Sequence, residues 1–307
     1  MSRFSDALAD VGYAAGWRFV RTLPEKQAHA LFDRLADRTW RADGKSVQRL
    51  RGNYRQVVGP AMTDGELDEL VRAGMRSYLR YWCEVFRLPT YTPELVRERM
   101  IMHNVGVLER ALTDDRPAVA ALSHSGNWDL VGLWFTQNHR GLTTVAERLK
   151  PESLFDRFVA YRESLGMEVL PLTGDANTYT RLMEAGREGR LVPLLADRDL
   201  TAKGIPVEFM GRPTRMPAGI GALAVDTGAQ VVHIELWYEG AQLHGMAHTP
   251  ILASGRGSRD EQISAVTQQM ADQFTVAIRR HPADWHMMSR MWADVEPIAR
   301  NVGGAVT

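Results

Sequence analysis

The chain is nearly without cysteine: Cys83 is the single one among 307 residues. An internal disulfide and a zinc site built on cysteines are excluded, and the usage fits a reducing cytoplasm. Cys83 stands in RYWCEVF among aromatic residues at helical spacing, which reads as a buried, inert thiol. No sign of charge is in excess, since 37 basic and 37 acidic side chains cancel. That balance argues against bulk nucleic-acid binding and against a strong polybasic membrane patch, so any anionic ligand has to be held by local charge. No uncharged apolar run reaches the roughly 18 residues that a membrane span needs. MSRFSDALADVG also lacks the positive start and apolar core of a secretory signal, and a soluble or peripheral protein is expected. There is no G-x-S-x-G elbow, so the serines beside His124 lack the frame of a serine hydrolase. Repeats, low-complexity tracts and flexible linkers are missing too, which predicts one folding unit over 1–307.

What is present is ordinary globular material, 45% apolar and 24% charged. Residues 4–110 read as helical, with Pro24 and Pro93 near helix starts and a long aliphatic-aromatic pattern over 67–86. From Pro117 the pattern changes. Strand-like runs at 118–122, 142–146, 168–172, 191–196 and 230–237 alternate with helical segments. The fold class expected is therefore α/β: a mostly parallel central sheet flanked by helices, with a helical, membrane-facing amino-terminal layer (1–110) and a catalytic core (117–307). SGRGSRD at 254–260 reads as an exposed loop before the last helix.

The densest chemistry lies in PAVAALSHSGNWDLVGLWF. An apolar run after Pro117 fits a strand buried on both faces, 123–127 makes a turn, and a helix follows from Trp128. His124 is thereby placed at the carboxyl end of a strand, where open α/β sheets bind ligands. Imidazole can take a proton from a hydroxyl, and a carboxylate such as Asp129 on its other nitrogen would fix the tautomer. Gly126 permits a sharp turn, and amides near Gly126 and Asn127 are candidate oxyanion donors. Spacing alone proves little: nine histidines and 37 acids in 307 residues give roughly one H-x4-D/E match by chance. The strand-to-helix context gives the motif its weight.

Other patterns carry less. GIGALA satisfies G-x-G-x-x-A but lies in a helical pattern after Pro217 instead of after a strand. His244 and His248 in QLHGMAHTPI are spaced like two ligands, yet that segment reads as strand or turn and no third ligand is evident, so no metal is expected.

HSGNWD resembles the H-x4-D/E motif of acyltransferases that acylate glycerolipids and lipid A. AERLKPESLFDRFVAYRESLGMEVLPL, LLADRDLTAKGIPVEFMGRPTRMPAGIGALAVDTGAQVV and HPADWH resemble the lipid A lauroyl/myristoyl acyltransferase superfamily, and within it the phosphatidylinositol mannoside acyltransferases. GYAAGWRFVRTLPE and SYLRYWCEVFRLP extend the likeness over nearly the whole chain. The resemblance implies transfer of a long fatty acyl group from acyl-CoA, a co-substrate and not a cofactor, to a mannose hydroxyl of a phosphatidylinositol mannoside. It implies His124 as general base and Asp129 as the motif's acid. Asp197, in ADRDLT, falls where the mannoside enzymes carry a Glu that partners the histidine, so either acid could orient His124. Glu147, Arg148 and Arg162 match residues around the acceptor headgroup and the coenzyme end of the donor, although Arg162 also reads as a solvated helix arginine. Arg198 and Arg215 are candidate bidentate phosphate donors or plain surface charge. HPADWHMMSRMW resembles the family's Trp-rich carboxyl-terminal signature and is expected to pack on the catalytic layer, with His281 and His286 structural.

A lipid acceptor in the inner leaflet implies peripheral association with the cytoplasmic face of the cell membrane. Segments 4–23 and 27–40, offering Tyr13, Trp17, Phe19 and Val20, then Leu31, Phe32, Leu35 and Trp40, are the expected contact. Core packing is the competing reading of those stripes. The alternatives in function are an acyltransferase with another lipid acceptor, an acyl-CoA thioesterase, and a non-enzymatic lipid-binding protein.

Overall fold

A computed structural model describes residues 16–148, 152–174, 176–199 and 203–300. After a helical stretch at 16–22, four helices follow: α1 (Glu25–Ala42), α2 (Lys45–Val58), α3 (Asp64–Arg87) and α4 (Pro93–Arg99). The longest, α3, starts at a capping box in which the Thr63 hydroxyl accepts from the Glu66 amide and Glu66 reaches back to the Thr63 amide. Its apolar residues Leu67, Val71 and Met75 recur at helical spacing and are buried. α4 begins at Thr92, whose side chain accepts from the Leu95 amide, with Pro93 at the first helical position.

Strands and helices then alternate: β1 (Met100–His103), α5 (Val105–Thr113), β2 (Ala118–Leu122), α6 (Trp128–Asn138), β3 (Leu142–Ala146), α7 (Glu152–Ser164), β4 (Met167–Pro171), α8 (Thr178–Arg187) and β5 (Val192–Leu195). A hairpin of β6 (Ile205–Phe209) and β7 (Arg212–Met216), α9 (Gly219–Thr227), β8 (Gln230–Glu239), β9 (Gln242–Ala247) and α10 (Arg259–Arg280) complete the order. The central sheet has five strands in the order β1-β9-β8-β2-β5. β2 is parallel to β8 and β5, β1 is parallel to β9, and only β8 and β9 pair antiparallel. The parallel pair β3–β4 continues from β5, with the Thr143 amide donating to the Leu191 carbonyl at 2.9 Å and the Thr144 hydroxyl to the Pro193 carbonyl at 2.7 Å.

Every residue of β2 is buried, and its alternate side chains feed two cores. Ala118, Ala120 and Leu122 pack with Leu130, Leu133 and Phe135 of α6. Val119 and Ala121 face the other way, into a cluster with Ile220 and Leu223 of α9 and Met270 and Phe274 of α10. The α/β class and mostly parallel sheet expected from sequence are what the structure has.

Several boundaries differ from expectation. β1 interrupts the stretch read as helical, because the short run MIMH carries no period that separates strand from helix. The runs expected at 168–172 and 191–196 are 167–171 and 192–195, and the last extends to 239. QLHGMA is strand β9. The β6–β7 hairpin was not foreseen: Pro206 and Pro213 discourage a strand reading, yet they sit in a two-stranded ribbon turned by Met210 and Gly211, both at positive φ.

The expected membrane-facing segment 4–23 lies partly outside the described residues, Tyr13 included. Of the residues named there and in 27–40, Phe19 and Leu35 are exposed, while Val20, Phe32 and Trp40 are buried. Trp17 packs against Phe86 and Phe158. Among the described residues, no helix is long and apolar enough to cross a membrane.

After α10 the chain returns across the helical layer. Asn53 on α2 donates to the carbonyls of Met287 and Ser289 at 2.7 and 2.8 Å, and the Tyr54 hydroxyl lies 3.0 Å from the Trp285 carbonyl. Tyr54 reaches that place because the hydroxyl end of its ring passes close to Gly74 of α3, where a Cβ would overlap it. Gly74→Ala is therefore expected to lower the free energy of unfolding by about 1–3 kcal/mol. Chemical denaturation checks this, and an unchanged midpoint would mean that Tyr54 has room to move.

Candidate active site

The site begins where β2 ends. Gly126 takes φ +58°, and a Cβ there would stand 3.0 Å from Leu236 and Leu243, so both the turn and the packing of β8 and β9 exclude a side chain. Asn127 caps α6, its side-chain oxygen accepting from the Leu130 amide at 2.9 Å. Its amide nitrogen donates to Glu84 of α3 at 2.9 Å, and Glu84 also accepts from the Tyr238 hydroxyl and the Arg80 guanidinium, each at 2.7 Å. This buried network fixes the turn to α3 and β8.

Adjacent parallel strands bring His124 and Asp197 together. Leu122 of β2 is in register with Leu195 of β5, and two residues beyond each stand His124 and Asp197. His124 Nδ1 lies 2.5 Å from Asp197 Oδ1, and the His124 amide donates to Asp197 Oδ2 at 2.9 Å. The Trp285 indole donates to the same Oδ2 at 2.8 Å. Asp197 is wholly buried. Burial works against its charge, but His124 through ring and amide, and then Trp285, outweigh it and hold the carboxyl below the usual range. A carboxylate on Nδ1 places that nitrogen's proton in the shared bond and leaves the lone pair on Nε2.

Of the two acids that could orient His124, Asp197 is therefore the one bonded to it. Asp129 accepts instead from Arg162 of α7, at 2.7 Å to Nε and 3.2 Å to Nη2, and from the Tyr81 hydroxyl at 2.9 Å. Arg162 is on a helix as expected, but it is not solvated: its side chain is 16% exposed and forms a buried pair. Glu147 and Arg198 meet on the rim at the ends of β3 and β5, 3.0 Å apart, and Arg198 also donates to Ser289 at 3.0 Å. Arg148 pairs with Glu152 on the surface. Arg215, on β7, donates to the Gly204 carbonyl at 2.7 Å, so it is spent on the hairpin's own loop.

Between α6 and the sheet runs an apolar cleft with about 710 Å³ of empty space, open solvent included. Leu122, Val131, Phe135, Thr144 and Leu195 line it, and Trp128, Asp129 and Arg162 stand at its polar part. Trp134 and Phe135 line it as well, whereas Leu130 belongs to the core. Trp128 is edge-on to His124 at 5.7 Å, which joins the cleft to the base.

The carboxyl-terminal segment closes the turn from outside. The His286 amide donates to the His124 carbonyl at 2.8 Å, and the Gly126 amide donates to the Asp284 carbonyl at 3.0 Å. That second bond removes the Gly126 amide from the oxyanion role expected of it. His281 ends α10 and stacks on Trp237, a structural place. His286, expected to be structural too, is buried beside Tyr78, Tyr81 and Trp128, with its Nε2 2.9 Å from the Ser77 hydroxyl. Burial, and secondarily the nearby His124, push its pKa down to about 3. Trp285, Tyr81 and Glu84 were not foreseen as site residues. They lie far along the chain from His124, and the only signals for them were the resemblances of HPADWH, which holds Trp285, and of SYLRYWCEVFRLP, which holds Tyr81 and Glu84.

The Cys83 thiol is pushed up to about 12, by burial first and then by Glu84, in keeping with an inert side chain. GIGALA is the helix α9, as read. Among the described residues, no three His, Cys, Asp or Glu side chains are placed to hold a metal ion.

A histidine bonded to a buried carboxylate at the carboxyl edge of a parallel sheet, beside an apolar cleft, suits acyl transfer, and the chain belongs to the bacterial lipid A biosynthesis acyltransferase family, which residues 5–294 match. Its relatives narrow the class. The phosphatidylinositol mannoside acyltransferase of Mycolicibacterium smegmatis is 46% identical over 286 residues, 93% of this chain and 91% of that one. The phosphatidylinositol mannoside acyltransferase of Mycobacterium tuberculosis strain H37Rv is 45% identical over 288 residues, 92% of this chain and 88% of its own. The resemblance read from the motifs is thereby borne out.

His286 gives the site a signature in acid. Its folded-state pKa lies below that of the unfolded chain, so the unfolded state binds the extra proton between about pH 3 and 6.5, and stability falls as pH falls through that window. His286→Gln is expected to flatten the fall in melting temperature between pH 6.5 and 4. An unchanged slope would mean that the ring is not held neutral.

Proposed function

We propose that this protein transfers a long-chain fatty acyl group from acyl-CoA to a mannose hydroxyl of a phosphatidylinositol mannoside, with His124 as general base. The observation that carries the reading is the His124–Asp197 pair set beside an apolar cleft. The sugar hydroxyl oxygen attacks the thioester carbonyl carbon while His124 Nε2 takes its proton. The carbon–sulfur bond then breaks, and the imidazolium returns the proton to the coenzyme A thiolate. Asp197 holds the ring in the tautomer that exposes Nε2 and stabilises the imidazolium between the two steps. With no serine in an elbow, the hydroxyl attacks directly and no acyl-enzyme forms.

The cleft takes the acyl chain, since burial at about 0.8 kcal/mol per methylene supplies ample binding energy. Asp129 and Arg162 act as a unit at the cleft's polar part, and Glu147 with Arg198 form the rim toward the sugar or the coenzyme. Arg148 and Arg215 serve the same ligands only if they leave Glu152 and the Gly204 carbonyl. The enzyme needs acyl-CoA as co-substrate and no cofactor. It works peripherally at the cytoplasmic face of the cell membrane, where Phe19 and Leu35 offer exposed apolar side chains.

Release of free coenzyme A from palmitoyl-CoA, with and without phosphatidylinositol mannoside, tests this directly. Acceptor-dependent release that His124→Ala abolishes is expected. Release indifferent to acceptor would make the protein a thioesterase, and none at all would overturn the choice of donor or acceptor. Asp197→Asn is expected to lower kcat on the order of 10²- to 10⁴-fold. Asp129→Asn strands the buried Arg162 charge and is expected to destabilise the fold by about 3–5 kcal/mol. Steady-state kinetics with a melting curve separates the two, and the reverse pattern would exchange their roles.

A further inference from the structure

The wall of the site holds two buried polar atoms that the chain does not use. His286 is 7% exposed. Its Nε2 lies 2.9 Å from the Ser77 oxygen, which is 2.6 Å from Asp284 Oδ1, while Asp284 Oδ2 accepts from the Tyr238 amide at 3.0 Å. Burial raises the Asp284 carboxyl, while the bonds from Ser77 and the Tyr238 amide favour its charged form; as a carboxylate it only accepts, so the one proton of the Ser77 hydroxyl goes to Asp284. The Ser77 oxygen is then left to accept from His286, which puts the imidazole proton on Nε2, a tautomer assigned from the network. Nδ1 is a bare lone pair, and it is buried with no partner among the described residues. The indole N–H of Trp128 is buried without a partner as well.

Each such orphan costs about 1–3 kcal/mol unless a ligand or a water satisfies it. These two flank the base. The Trp128 ring is edge-on to His124 at 5.7 Å, the His286 amide holds the His124 carbonyl, and the His286 and Trp128 rings are 6.5 Å apart. One orphan accepts and the other donates, which is the pair of functions that sugar hydroxyls satisfy. Other buried side chains also keep an unpartnered polar atom, Trp17, Tyr161 and Trp292 among them; His233 is one, stacked on His248 and edge-on to Phe274, on the face of β8 opposite Ile234 and the cleft.

We propose that His286 and Trp128 position the acyl acceptor, His286 Nδ1 accepting a hydrogen bond from one sugar hydroxyl and Trp128 Nε1 donating one to another beside the hydroxyl that His124 deprotonates. This rests on the reading of the protein as a transferase to a sugar. His286 then reads the acceptor, and Ser77 and Asp284 are the groups that fix which of its nitrogens faces the sugar.

The test uses the full chain with palmitoyl-CoA and two acceptor sets: phosphatidylinositol mannoside, and methyl mannosides each lacking one hydroxyl. In His286→Gln the side-chain amide keeps the contact to Ser77 and removes the acceptor at Nδ1. It is expected to raise KM for the acceptor at least tenfold while KM for palmitoyl-CoA moves less than twofold. His286→Asn, which returns an acceptor near Nδ1, is expected to recover most of that loss. One of the deoxy mannosides should be a poor acceptor for wild type yet cost His286→Gln nothing further. Trp128→Phe should show the same pattern for a different hydroxyl.

A parallel rise in both KM values, or deoxy penalties that simply add to those of the variants, would make the two side chains structural and overturn the proposal. If the His286 variants do not fold, Trp128→Phe and the deoxy series on wild type decide. A wild type that loses less than threefold on every deoxy acceptor overturns it. A wild type indifferent to any acceptor defeats the transferase reading itself, a result distinct from all of these.

Discussion

A carboxylate with no exposure to water organises this molecule. Asp197 remains charged only because three donors converge on it: the ring and the amide of His124 and the indole of Trp285. Those donors come from the turn after β2 and from the segment after α10, so a single buried charge ties together three distant stretches of sequence. Remove any donor and the balance against burial shifts. The register of two parallel strands, the turn at Gly126 and the return of the carboxyl-terminal segment all serve that one requirement.

The rest of the architecture follows from covering the sheet. β2 sends alternate side chains into two cores, one under α6 and one under α9 and α10, and both must close before its end can be held still. The helical layer contributes less by enclosing than by bracing. Glu84 and Ser77 of α3 hold the Asn127 side chain and the His286 ring, and Asn53 and Tyr54 of α2 hold the backbone that carries Trp285. Polar groups buried in this way carry specificity, because half-satisfied networks are worse than none.

Much of this was legible in the sequence and some was not, for identifiable reasons. The run after Pro117 announced β2, and the break at His124 announced the strand end, because a strand buried on both faces has no polar residue to blur the signal. The choice between Asp129 and Asp197 was open, since a partner across a parallel pair leaves no spacing to read. The α6 first turn carries Asp129 away from the ring and toward Arg162. Short elements were the hardest. Four residues of β1 carry no decisive period, and the prolines of the β6–β7 ribbon argued against the strands that hold them. His286 was read together with His281, five residues earlier and a stacked helix cap, because nothing local distinguishes the two.

The backward course of the last segment sets an order of events. Residues 284–286 bind the turn that carries the base and complete the buried acid's shell, and they are made after every strand of the sheet. During synthesis the nascent chain can lay down β2, β5 and β8 while the imidazole still lacks its final neighbours and the core under α9 and α10 still waits for Trp285, Met287 and Trp292. The shell around the His124–Asp197 pair and the core on that side of the sheet are therefore completed together, and a chain that stops short of residue 284 lacks both.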